Sequence, residues 1–109
     1  MTDYGQELKA ILGMPPGDER DAELFAFVER TAHADPDSSV HAARNIGEYY
    51  KRGWALLLCV KALVDVDMDK AREVAMTIED EYNRLRAKHT IEFTEAKRLK
   101  ESGFDPSWN

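Results

Sequence analysis

The chain has a single cysteine, Cys59, so no intrachain disulfide can form and packing alone must hold the fold together. Proline is scarce, occurring only at Pro15, Pro16, Pro36 and Pro106. From Asp69 to Ser102 there is neither proline nor glycine, so nothing in that stretch forbids continuous helix. Long hydrophobic runs are also missing. The most apolar run, Trp54 to Val60, is closed by Lys61 and falls short of the ~18 residues that suggest a membrane span. The opening residues, polar and acidic through Asp3 and Glu7, lack the basic and apolar regions of a secretory signal. These absences give a cytoplasmic protein without membrane association as the expectation. Positive charge is sparse at the N-terminal end. Nine acidic residues from Asp3 to Asp37 stand against Lys9, Arg20 and Arg30, and the whole chain carries a net charge of -6. Such a surface opposes broad binding to nucleic acid and suits solubility or a basic partner.

At 109 residues, 43% hydrophobic and 33% charged, the chain is long and apolar enough for one ordered domain, spanning 1–109. The strongest signal is periodic. Ala71, Val74, Ile78, Tyr82, Leu85, His89, Phe93, Ala96 and Leu99 recur every three or four positions, which predicts one helix from about Asp69 to Ser102, roughly 50 Å long. A second long helix is expected from about Pro36 to Val64. Val40, Ala43, Ile46, Tyr50, Trp54, Leu57 and Leu58 lie at helical spacing there, with Trp54 in the core and Lys51 and Arg52 solvated. Gly47 and Gly53 each cost about 1 kcal/mol in such a helix, and their usual justification is close packing or a bend.

Two shorter helices precede these. The first runs from about Asp3 to Leu12 with Asp3 as its cap, and Gly13 acts as a left-handed terminator before Pro15 and Pro16. The second runs from about Asp18 to Ala34, with acidic residues in its first turn and Asp35-Pro36 breaking it while opening the next. Asp67 or Asp69 caps the last helix. Gly103 and Phe104 suggest a Schellman stop, and 105–109 form a non-helical tail. No internal repeat is evident. The expected fold is therefore all-α, a helical bundle built on a long antiparallel helical hairpin with two shorter N-terminal helices. The two short helices cannot cover the whole hairpin, so a homodimer is expected.

Chemistry is thinly represented. The histidines His33, His41 and His89 sit in no metal-binding spacing, and Asp65, Asp67 and Asp69 lack the glycine and glutamate of a calcium loop, Lys70 and Met76 standing there instead. No metal and no cofactor is expected. Cys59, inside an apolar run, reads as an inert buried thiol. Tyr49 through Trp54 interleave aromatic and basic residues, a pattern that can stack single-stranded nucleic acid, although Tyr50 and Trp54 are better assigned to the core. Arg84 and His89 have the spacing R-x4-H, which resembles the motif of HEPN ribonucleases. That resemblance covers six residues and implies a helical dimer in which Arg84 and His89 meet their symmetry mates at a cleft. Histidine would move a proton from a 2′-hydroxyl and arginine would steady the phosphate. Leu85 stands where the family often carries a polar residue. The alternative places His89 at the edge of the apolar stripe and pairs Arg84 with Asp80. With no catalytic residue assigned, the leading expectation is a small intracellular helical module, such as an adaptor, inhibitor, antitoxin or phage-type regulator. It would self-associate and bind another protein.

Overall fold

Three aspartates, at positions 3, 35 and 67 and so a constant step of 32 apart, open three helices of nine residues each. The carboxylate of Asp3 accepts the Gln6 N–H at 3.1 Å, that of Asp35 the Ser38 N–H at 3.2 Å, and that of Asp67 the Lys70 N–H at 3.0 Å. Each satisfies an orphan donor of a first helical turn. The computed structural model that shows this describes residues 3–103. Among them are six helices and no strand: α1 (Tyr4–Leu12), α2 (Asp18–Thr31), α3 (Pro36–Arg44), α4 (Tyr49–Leu63), α5 (Met68–Met76) and α6 (Glu81–Glu101).

The step of 32 continues beyond the caps. The N–H groups of Met14, Ile46 and Ile78 each bond the carbonyl three residues back, on Ile11, Ala43 and Ala75, closing the same tight turn three times. The N–H groups of Asp35 and Asp67 bond the carbonyls of Thr31 and Leu63, repeating the join between one helix pair and the next. The chain is thus a threefold internal repeat of a helix pair, α1–α2, α3–α4 and α5–α6, where none was expected from the sequence. The pairs stack in order. α2 packs on α3 and α4, and α4 packs on α5 and α6, while no helix of the first pair packs substantially on the third. This nearest-neighbour order is that of an α-solenoid, here a slab with principal extents of 57 × 35 × 16 Å.

The long antiparallel hairpin is not found. The expected helix over 36–64 breaks at 45–48 and the one over 69–102 breaks at 77–80. In each break a carboxylate starts the following helix: Glu48 accepts the N–H groups of Tyr50 and Lys51, and Asp80 accepts that of Asn83 at 2.9 Å. Ile46 and Ile78 stay buried in the turns, which is why the apolar spacing runs through both breaks undisturbed. The longest helix is the C-terminal α6, whose 21 residues span about 31 Å. Its last buried residue is Ile91, so Phe93 and Leu99 of the supposed stripe lie in solvent, as do Tyr82 and Leu85. Gly13 is right-handed, with φ -75°, and leaves the stop to the prolines, whereas Gly103 has the left-handed φ of 90° that its terminator role requires. Phe104 and the tail 105–109 lie outside the described residues.

The core runs between the two helix layers. Leu24, Phe27, Val28, Val40, Ile46, Leu57, Val60, Val74, Ile78 and Ala87 are buried there. A polar lock joins the first pair to the second, and a close steric contact joins the second to the third. The buried Asp21 on α2 accepts the N–H groups of Gly47 at 2.9 Å and Glu48 at 3.0 Å. Further on, the carboxylate of Asp80 lies against Gly53, 1.6 Å from where a Cβ would stand, so only glycine fits. Among the described residues no helix is long and apolar enough to cross a membrane.

Candidate protein-interaction surface

Trp54 is not in the core. It is 45% exposed, and the interior fills without it. Its ring stands edge-on to Phe25 of α2 at 5.2 Å and to Tyr50, one turn earlier on α4, at 6.4 Å. Tyr50 stacks in turn on Tyr82, the second residue of α6, at 6.3 Å. The guanidinium of Arg86 covers the Tyr82 ring at 5.5 Å. An aromatic strip therefore crosses α2, α4 and α6, the second helices of all three pairs. Repetition builds it: Tyr50 and Tyr82 are one step of 32 apart and occupy equivalent places on successive helices. Sequence reasoning placed Tyr50 and Trp54 inside and did not connect Phe25 or Tyr82 with them. The signal that was available is the recurrence of tyrosine at that step.

The strip has two edge-to-face contacts and one stacked contact, with the Arg86 guanidinium over its outer ring. Its flanks are of mixed sign, with Glu48, Glu81 and Lys51 beside Arg86, and Arg52 is held by Glu79 at 3.1 Å. Half-exposed tyrosine and tryptophan offer apolar area with a polar tip and little entropy to lose, the composition of interface anchors.

Arg84 and His89 do not converge. Arg84 donates to the carbonyls of Ile78 and Glu79, each at 3.4 Å, across the turn before α6. Asp80, expected as its partner, instead caps α6. Arg52, 32 residues earlier, makes the same two contacts, to Ile46 at 3.1 Å and Gly47 at 3.3 Å. Arg84 is thus the third pair's copy of a turn clamp, and Leu57 occupies the place in the second pair that His89 has in the third. His89 is exposed and, five residues on, projects about 140° around the helix from Arg84.

Cys59 is buried, 3.3 Å from the Ser39 hydroxyl, and burial pushes its pKa up to about 11. A thiol so protonated is no nucleophile at neutral pH. Among the described residues no group of three His, Cys, Asp or Glu side chains is placed to hold a metal ion. Against known families, characterised proteins and solved structures, the chain shows no match.

Proposed function

We propose that this protein is a helical binding module that recognises another protein through the aromatic strip of Phe25, Tyr50, Trp54 and Tyr82 and works as a homo-oligomer, in the manner of an adaptor, inhibitor, antitoxin or regulator. One observation supports this most: Tyr50, Trp54 and Tyr82 form a continuous exposed ridge over α4 and α6, and Phe25 of α2 joins it at Trp54. The direct test places a photo-crosslinking phenylalanine derivative at Tyr82 and, as control, at exposed His41. In cells that naturally make the protein, the Tyr82 position should yield an adduct of defined mass that His41 does not, and Trp54→Ala should remove it. Equal labelling at both positions would refute the strip as the recognition surface.

The ribonuclease reading of Arg84 and His89 is the alternative. It is disfavoured by the clamp role that Arg84 shares with Arg52 and by the net charge of -6, which repels a polyanion. Purified protein should leave single-stranded RNA intact. Cleavage abolished by both His89→Ala and Arg84→Ala would restore the enzyme.

A further inference from the structure

Among the described residues the third helix pair is the last of the stack, and its outer face is uncovered. A groove of about 530 Å³ runs between α5 and α6, floored by Ala75, Leu85 and Ile91 with Met76 at its edge. One step of 32 earlier, the places of Ala75, Leu85 and Ile91 are taken by Ala43, Gly53 and Cys59, all buried in the core that the third pair completes. The groove is therefore the place where a further helix pair would dock. It is not finished as a polar cap. Met76 is 83% exposed, whereas the exposed stripe of α2 at the other end of the stack is Glu19, Ala22, Glu23, Glu29 and Arg30. The two ends do not match, which disfavours head-to-tail stacking of copies.

The charges around the groove indicate its occupant. Three cations, Arg72, Arg84 and Lys88, meet three anions, Glu81, Glu92 and Glu95, so this face is neutral on an acidic chain. Along α6 the groove-side charges run Glu81, Arg84, Lys88, Glu92, Glu95, so that in its central turns cations precede anions. A parallel copy would set like against like. An antiparallel copy with its twofold axis at the level of Thr90 sets Lys88 opposite the partner's Glu92, two groove charges engaged within the chain only by their own i,i+4 contact at 4.0 Å. We infer that the α5–α6 face docks on a second copy of this chain, antiparallel and isologous, burying Met76 and Leu85 in a four-helix contact. The inference rests on the homo-oligomer reading above and assigns its surface.

Charge reversal tests it. Wild type in light scattering should give twice the 12.4 kDa chain mass. Lys88→Glu alone, or Glu92→Lys alone, opposes like charges at two symmetry-related places and should raise the dimer dissociation constant at least about tenfold. The two residues are exposed, so circular dichroism should be unchanged. The double variant should dimerise again, and an equimolar mixture of the two single variants should form a heterodimer. A dimer indifferent to all of these changes would overturn the assigned face and leave the homo-oligomer standing. A wild-type monomer at high micromolar concentration would overturn both. Loss of the Tyr82 adduct with the dimer intact would strike only the aromatic strip.

Discussion

At Gly53 the local and tertiary preferences of a residue oppose each other. Alanine is favoured over glycine within a helix by about 1 kcal/mol. A methyl group here would sit 1.6 Å from the carboxylate of Asp80, which is buried and bonds both the backbone and side-chain nitrogens of Asn83 at 2.9 Å. To make room, Asp80 must leave its cap. Gly53→Ala should therefore destabilise the fold by about 2–3 kcal/mol net, read as a lower urea midpoint. In an Asp80→Ala background the same substitution should cost much less, since the obstruction is gone. A stabilised Gly53→Ala would contradict the packing. Cys59 gives a second residue-scale test. Its pKa is raised from the ordinary 9.0 to about 11 by desolvation, only partly opposed by Ser39. The folded state therefore holds the proton where the unfolded chain has lost it. Stability from this group is complete below pH 9 and falls as pH rises toward 11. The stability difference between wild type and Cys59→Ala should be flat below pH 9 and shift against wild type above it. At pH 8 a thiol reagent should label native protein only as fast as the core opens.

The middle pair is packed between two neighbours, whereas each end pair has a neighbour on one side only. α4 is covered by helices of both neighbouring pairs, whereas α6 is buried only as far as Ile91. Beyond that point, α6 is tied back by the Arg72–Glu95 ion pair at 2.6 Å and by Arg98, which donates to the Val64 carbonyl. Amide exchange should reflect this. Lys97 to Lys100 should exchange at least about a hundredfold faster than Ala87 and Ile91, and Arg72→Ala should carry fast exchange further toward Ile91. Uniform protection along α6 would mean another surface covers its end. The element boundaries most legible in the sequence are those written in local chemistry: Asp3 and Asp35-Pro36 as starts and Pro15-Pro16 as a stop, with Asp67 one of two candidate starts, the other being Asp69. The breaks at 45–48 and 77–80 were hidden because Ile46 and Ile78 keep the helical apolar spacing, and the second break contains no glycine or proline at all. The repeat was hidden for a related reason. Between the second and third pairs identity survives only at scattered places such as Asp35/Asp67, Ala43/Ala75, Ile46/Ile78, Tyr50/Tyr82 and Arg52/Arg84. Leu56 and Val60 of the second pair become Lys88 and Glu92 in the third, because the third faces outward. The same logic misplaced the aromatic strip: tyrosine and tryptophan at core-like spacing cannot reveal that the layer beneath is already full.

At the scale of the whole fold, three helix pairs are close to the smallest stack of this kind that can hold together. Each pair lacks a complete core of its own, and about three repeats are needed before burial outweighs chain entropy. Residues 1–66 alone would lose the packing of α5 and α6 on α4, including Asp80 against Gly53, and should show no cooperative thermal transition by circular dichroism. The constant step of 32 has a further consequence for how the chain tolerates changes of length. One residue added to the turn at 77–80 must move Asp80 off Gly53 and pull Arg84 away from the carbonyls it clamps. A duplicate of residues 35–66 placed after Val66, by contrast, would meet an aspartate N-cap at each junction, as Val66 meets Asp67 now. Length in this architecture is quantised: whole units of thirty-two are admissible increments, and fractions of a unit are frameshifts in three dimensions.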